Sequence, residues 1–153
     1  MAMSMQGEVI LPADGATVWS ALNDPEVLKA CIPGCQELQK LSDTEFQATA
    51  KIAVGPVKAT FKGGVRLTDL NPPSSYTISG EGQGGVAGWA RGGAKVRLED
   101  VEGGTRLVYD VEALVGGKIA QLGGRLINGV AKKYADEFFA NFAKILSPAQ
   151  TAA

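Results

Sequence analysis

The sequence predicts an α+β domain in which a curved antiparallel sheet of about seven strands surrounds a long C-terminal helix, with two short helices near the N-terminus. Three observations support this prediction. Strands with alternating apolar and polar residues fill the chain from Gln36 to Val115. An apolar stripe at helical spacing follows, from Ile119 to Ile145. Turn and capping signals between Pro12 and Gly34 frame two short helical segments.

The N-terminal part divides into one strand and two helices. Residues Gln6 to Leu11 favour a strand, and Asp14 provides an N-cap for a helix that ends at Leu22. Pro25 suits the first turn of a second helix, because its missing N–H is not needed there. Pro33 and Gly34 end that helix.

About six further strands follow, separated by turn residues. Their apolar residues fall on one face of the sheet, which another element must cover. A helix predicted from Lys118 to Leu146 provides the cover, and at 1.5 Å per residue it would be about 43 Å long. The inward residues of three strands are Phe46, Ala48, Ala50, Ile52 and Val54; Val57, Ala59, Phe61, Val65 and Leu67; and Leu107, Tyr109, Val111, Ala113 and Val115.

Length and composition fit one globular domain. The chain has 153 residues, of which 45% are hydrophobic and 20% charged, and a chain of this size buries roughly 70% of its unfolded surface. We predict a single domain over residues 1–147 and a short C-terminal tail over 148–153. The net charge of −1 provides no field that attracts phosphate backbones, so we expect no nucleic-acid partner.

The sequence favours a cytoplasmic protein. Ser4, Gln6 and Glu8 interrupt the apolar residues at the N-terminus, unlike a secretory signal. The apolar runs fall short of the ~20 residues that span a bilayer. Membrane contact would therefore be peripheral, at the inner face of the cell membrane. We interpret Cys31 and Cys35 as reduced thiols, because the sequence offers no further ligands for a zinc site.

Very small residues occupy inward positions of the two middle strands, namely Gly80, Gly82, Ala90, Gly92 and Ala94. They either leave room for a small molecule or let the sheet bend and the helix approach closely, and the sequence leaves both interpretations open. The residues predicted to line a ligand-binding cavity are Phe46, Phe61, Tyr76, Tyr109, Leu122, Leu126 and Tyr134. Ordinary core packing is the competing role for each aromatic residue among them.

Trp89 is a separate candidate, because it follows a glycine-rich turn and has the opposite strand parity to Ala90. This position favours an exposed ring at a rim, where a partner or a membrane interface would contact it. Single exposed apolar residues are also common on ordinary surfaces.

The sequence does not favour catalysis. It contains no histidine, which removes the usual general base and the commonest metal ligand. Residues Gly80 to Gly85 fit the pattern G-x-G-x-x-G, but strand-like sequence on both sides does not suit a dinucleotide fold. The adjacent carboxylates Glu99-Asp100 and Asp136-Glu137 point apart on regular elements. We predict no catalytic residues, no metal site and no cofactor.

Five segments carry a resemblance to a known family: Pro12-Ala13 ahead of Val18-Trp19, Leu22 to Glu26, Cys31 to Cys35, Gly103 to Leu107, and Gly116 to Ile127. The last of these is the most specific. Together they resemble the CoxG family of carbon monoxide dehydrogenase subunits, within the polyketide cyclase and START-like superfamily of helix-grip folds. The resemblance covers nearly the whole chain.

The resemblance implies a non-catalytic accessory subunit. Such a protein binds an apolar ligand, either a lipid or a quinone, and helps to recruit a molybdenum hydroxylase to the membrane. Two alternatives stay open: a docking module without a ligand, using the outer sheet or the Trp89 loop, and a small cyclase or hydrolase of the same superfamily.

Overall fold

The computed structural model describes residues 1–147, and the predicted tail over 148–153 lies outside them. Seven strands form one antiparallel sheet in the order β1-β7-β6-β5-β4-β3-β2. The elements are β1 (Ala2–Leu11), α1 (Gly15–Leu22), α2 (Pro25–Cys31), β2 (Cys35–Ser42), β3 (Glu45–Val54), β4 (Val57–Asn71), β5 (Ser75–Gln83), β6 (Trp89–Val101), β7 (Gly104–Gly116) and α3 (Gly124–Leu146). The predicted helix-grip architecture is confirmed.

The two N-terminal helices begin where the capping residues predict. The Asp14 carboxylate accepts a hydrogen bond from the backbone N–H of Thr17 at 2.8 Å, and Asp24 accepts one from Glu26 at 2.9 Å. These bonds satisfy amide groups that a helix start otherwise leaves free. Helix α2 ends at Cys31, which is buried, and burial raises the pKa of its thiol to about 11. Both cysteines are free.

The register places one continuous apolar face on the inside of the sheet. Every neighbouring pair of strands runs antiparallel, so residues of one parity form rows that cross the sheet. One such inward row consists of Met3, Ala113, Gly92, Gly80, Val65 and Phe46. This alternation is the one that the period-two pattern predicts.

The buried residues form two clusters, one at each end of the sheet. The large cluster lies at the end that carries α1 and α2, the helical end, and contains Leu11, Val18, Leu22, Cys31, Phe46, Leu67, Tyr76, Val96, Leu98, Leu107 and Phe142. The small cluster lies at the end that carries the β3–β4 turn, the 3₁₀ turn Gly85–Ala87 and the start of α3, the loop end. It contains Val54, Ala87, Val115, Ile119 and Ile127.

Helix α3 begins six residues later than predicted. Residues Lys118–Leu122 form a 3₁₀ turn instead, and Gly123 then separates this turn from α3 with φ 93° and ψ 154°. Only glycine adopts such a backbone conformation without strain. The 23 residues of α3 give a helix of about 35 Å rather than 43 Å. The prediction of one helix from Lys118 was therefore wrong, because an apolar stripe does not reveal a break at glycine.

The break at Gly123 yields a pair of glycine substitutions with opposite expected effects. Gly123→Ala should lower the free energy of unfolding by about 1–3 kcal/mol, because alanine is strained at this φ and ψ. Gly129→Ala should raise it by about 0.5–1 kcal/mol, because Gly129 lies inside α3 with no atom within 4 Å of the added methyl group. Urea denaturation of both variants measures the difference, and equal effects would contradict a break at Gly123.

Candidate functional site

The middle of α3 stands away from the middle of the sheet. Among the residues of α3, Ile127 is buried in the small cluster and Phe142 in the large cluster. Ala131 and Ala135 lie on the same side of the helix, since they precede Phe142 by eleven and seven residues. Both nevertheless remain partly exposed. A helix pressed onto the sheet would bury two such central alanines.

The packing of α3 agrees with a gap at this point. The helix lies closest to α2, to β1 at one side of the sheet and to β3 near the other side. The middle strands β5 and β6 are not among the elements that it approaches closely. Small inward residues of these strands, Gly80, Gly82, Gly92 and Ala94, therefore face α3 across a space, and we call them the small-residue belt.

The glycines of this region differ in what they would allow. At Gly92 a side chain would collide with the backbone of β7, and at Gly63 on β4 it would collide with the backbone of β5. These two positions therefore follow the close strand approach that the bend of the sheet requires. At Gly82 a Cβ atom would meet its nearest neighbour, the Phe61 side chain, at 3.9 Å, which is ordinary contact. The two interpretations of the small residues thus apply to different positions.

The predicted cavity residues fall on both sides of the belt. Phe46 and Tyr76 are buried in the large cluster, and Tyr109 packs against it. Phe61 and Leu122 pack against the small cluster. The gap therefore has an apolar wall at each end, contributed by five of the seven predicted residues.

The three tyrosines differ in their hydrogen bonds. The Tyr134 hydroxyl accepts a bond from the backbone N–H of Ala53 at 3.0 Å and donates to its carbonyl at 3.4 Å. Because β2 pairs with β3 only as far as Ala50, this hydroxyl occupies the open edge of β3 beyond that point. The Tyr109 ring stacks on Phe139 at 5.3 Å, and its hydroxyl lies over Gly7.

Burial affects the ionisation of two of these tyrosines. It raises the pKa of Tyr76, which is 6% exposed and packs edge to face against Trp19. Burial, reinforced by the nearby Asp136 carboxylate, also raises the pKa of Tyr109. Both side chains are therefore neutral hydrogen-bonding groups near pH 7.

Leu126 does not face the gap. Its side chain is 36% exposed and packs on the β3–β4 turn, 2.8 Å from the position that a Gly55 Cβ atom would take. The predicted stripe placed it inward through steps of four residues from Phe142. Each such step overshoots a 3.6-residue turn by about 40°, so four steps rotate Leu126 to the opposite side of the helix. Ile127 takes the inward position instead.

Phe139 is a wall residue that the stripe omitted. It packs against the large cluster and touches Phe138 edge to face at 5.1 Å, in addition to its stack on Tyr109. Two consecutive phenylalanines gave the only sequence signal for it, because one of two adjacent helical residues normally lies outside an apolar stripe.

Trp89 lies on the outer face at the loop end, where its ring packs over Gly116 and is half-buried. The Arg91 guanidinium stands 5.4 Å from the ring centroid. The ring is therefore not freely exposed, in contrast to the expectation from the sequence. A partner at this rim would meet Arg91 together with the edge of the ring.

An open trough of about 880 Å³ crosses the outer face of the sheet. No residue of α3 lines it, and its walls come from outward side chains such as Arg66, Glu81, Arg91 and Glu112. Its floor is low because Gly64 and Ser79 have little or no side chain. Leu41 and Leu114 lie at its two ends and are 56% and 42% exposed. The trough is separate from the gap beneath α3.

Charged side chains are kept out of the interior of the described chain. Within residues 1–147 the one buried polar side chain is Thr105, whose hydroxyl donates to the Ala13 carbonyl at 2.7 Å. The same residues contain no group of three or more His, Cys, Asp or Glu that could hold a metal ion. No helix within this range combines the length and hydrophobicity needed to cross a membrane.

A curved seven-stranded sheet with α3 held at both ends defines a helix-grip protein of the polyketide cyclase and START-like class. Over residues 7–147 the sequence matches CoxG, a family of carbon monoxide dehydrogenase subunits. The chain belongs to that family, which confirms the resemblance of its sequence segments. No curated protein matches the sequence.

Several solved structures share the fold. A conserved protein from Geobacillus kaustophilus is 32% identical with a TM-score of 0.88, and the match covers 94% of this chain and 95% of that one. The Zhui aromatase/cyclase from Streptomyces sp. R1128 is 11% identical with a TM-score of 0.67, covering 97% and 98%. Ara h 8.0201 is 19% identical with a TM-score of 0.65, covering 95% and 99%. The last two show the fold alone.

The different roles of the tyrosine hydroxyls are testable by single substitutions. Tyr134→Phe should lower the free energy of unfolding by about 0.5–1.5 kcal/mol, because the Ala53 backbone loses its partner at the sheet edge. Tyr109→Phe should change it by less than about 0.5 kcal/mol, because the ring keeps its stack on Phe139. Thermal or urea unfolding checks both, and a Tyr109→Phe variant that loses more stability than Tyr134→Phe would contradict these contacts.

Proposed function

We propose that this chain is a non-catalytic accessory subunit that holds an apolar small molecule, a lipid or a quinone, between α3 and the small-residue belt. The observation that carries the proposal is the partial exposure of Ala131 and Ala135 opposite that belt. An apolar chain in this space would cover the surface that the helix leaves uncovered, at about 25 cal/mol for each Å² removed from water.

The walls of the gap suit a molecule with a long apolar part and a small polar group. Aromatic side chains close one end, and the Tyr109 hydroxyl is the polar group nearest to them that is not engaged with the backbone as Tyr134 is. A neutral phenol at this position can donate to a carbonyl or ester oxygen. Quinones and lipid headgroups both carry such oxygens.

The surroundings of the gap favour binding over acid–base chemistry. The ionisable side chains nearest to its walls are Tyr76 and Tyr109, whose raised pKa values make them poor general bases near pH 7. A cyclase function, such as the name of the Zhui protein states, would need one of these phenols to act. Membership of the CoxG family supports the accessory role instead.

Filling the gap from the sheet side tests ligand binding. In Gly82→Leu the new side chain extends inward, and we expect at least about a fivefold loss of the molecule retained through purification. Native mass spectrometry with organic extraction measures the retained molecule and distinguishes a lipid from a quinone.

Gly64→Leu is the matched control, because it adds the same side chain to the outer face one strand away, where the nearest atom to a Cβ is the Phe46 carbonyl oxygen at 3.7 Å. It should retain the ligand at the wild-type level. Absence of any apolar molecule from the wild type, even after incubation with a quinone or a phospholipid, would overturn the proposal.

We propose further that the chain recruits a molybdenum hydroxylase to the inner face of the membrane, with the outer trough as the surface that contacts the enzyme. The family supports the identity of the partner. The size of the trough, its mixed charges and the exposed leucines at its ends support its use as a protein contact.

Affinity capture from an extract of the native cells tests the recruitment. The wild-type chain should retain molybdenum hydroxylase subunits, and a double charge reversal in the trough, Arg66→Glu with Arg91→Glu, should lower their recovery at least about tenfold. Trp89→Ala should leave recovery within about twofold. Loss of capture in Trp89→Ala alone would move the contact to the rim, and no capture by the wild type would remove the enzyme as a partner.

A further inference from the structure

The charges of this domain are segregated along its long direction. Four segments form the loop end: residues 1–7, 51–63, 82–92 and 113–131. They contain six basic side chains and no Asp or Glu. The remaining residues carry all 16 acidic side chains and nine of the 15 basic ones, a balance of −7. A net charge of −1 therefore hides a strongly basic end and a strongly acidic one.

The basic side chains of the loop end are available to a partner. They are Lys51, Lys58, Lys62, Arg91, Lys118 and Arg125, and all six are exposed. Within residues 1–147 none of the six forms an ion pair, whereas Arg66, Arg97, Arg106 and Lys132 each do. Uncompensated positive charge at one end attracts an anionic surface.

The loop end also presents an apolar tip. Val86 lies in the 3₁₀ turn Gly85–Ala87 and is 93% exposed. The next residue, Ala87, is buried in the small cluster, so the turn is anchored and holds Val86 outward. Leu126 stands exposed beside buried Ile127 in the same way, on the Gly55 turn.

We infer that the loop end docks on an anionic lipid bilayer, with Val86 and Leu126 entering the interface and the six basic side chains contacting lipid headgroups. This inference rests on the membrane part of the proposed function and names its surface and the charge of its lipid. Exposed apolar residues also occur at the helical end, for example Ile10 and Leu70, but acidic side chains surround them there. The combination of positive charge and an apolar tip is typical of a membrane-binding surface and occurs at the loop end.

Vesicle co-sedimentation tests this surface. The wild-type chain should bind vesicles of phosphatidylcholine with about 30% phosphatidylglycerol, and should bind pure phosphatidylcholine at least about tenfold more weakly. Raising the salt from about 0.1 M to 0.5 M should weaken binding, because the Debye length shrinks from about 10 Å to about 4 Å. Equal binding to both vesicles would overturn the inference.

Two variants at the loop end have matched controls at the helical end. Lys58→Glu with Arg125→Glu should lower binding at least about tenfold, while Lys29→Glu with Lys144→Glu makes the same change in net charge and should stay within about twofold. Val86→Asp should lower binding about three- to tenfold, and Ile10→Asp should not lower it. Equal losses at both ends would overturn the inference, since overall charge would then explain them. Competition by an equal charge of duplex DNA would identify a nucleic-acid site and overturn it as well.

Ligand retention measured on the same variants separates the two proposals. The loop-end variants should lose vesicle binding and keep the extracted molecule, because their side chains point away from the gap. Vesicle binding by a wild-type chain that carries no ligand would leave the docking surface standing and remove the ligand site. A ligand-loaded wild-type chain that ignores anionic vesicles would do the reverse.

Discussion

The attachment of α3 at its two ends determines most of what this domain can do. Ile127 fixes one end of the helix in the small cluster, and Phe142 fixes the other in the large cluster, where it stacks on Phe138 at 5.7 Å. Between them the helix presents Ala131 and Ala135, which are too short to reach the sheet. Because two separate clusters provide the apolar contacts of α3, its middle is free of the packing that usually fixes a helix to a sheet.

The same division orders the outer surface. The large cluster lies at the end with α1 and α2, where the acidic side chains also lie, and the small cluster lies beneath short turns that carry basic ones. The gap, the outer trough and the loop end are therefore three distinct surfaces of one domain. An accessory protein that binds a small molecule, an enzyme and a membrane needs three surfaces that do not exclude one another.

Sequence periodicity predicted the sheet well, because alternation along a strand depends only on which side faces the core. Asp14 and Pro25 located the first two helices through local capping, which also needs no tertiary information. The start of α3 was missed because Gly123 adopts its backbone conformation in response to the connection from β7. The exchange of Leu126 for Ile127 followed, since the phase of a helix depends on where it begins and on which residues its ends bury.

The gap itself was only half predictable. Small residues on β5 and β6 indicated space, but the sequence does not reveal that Gly92 and its neighbour Gly63 on β4 exist for strand approach while Gly82 faces an opening. That distinction depends on the positions of neighbouring backbones, which no local pattern encodes. The trough was equally hidden, because its walls come from strands that meet only in the folded sheet.

The bend of the sheet and the gap are consequences of one arrangement. Carbonyl groups of neighbouring strands occupy the space of side chains at Gly63 and Gly92, so the middle strands can bend away from α3. A core built in this way lacks contacts that a filled core would have. On the proposed function the ligand provides them, and binding at a concentration about one hundred times its dissociation constant would add about 2.7 kcal/mol to the stability of the folded chain. The incomplete core of the free protein thus favours the ligand-loaded state, which suits a subunit that must keep an apolar molecule out of water.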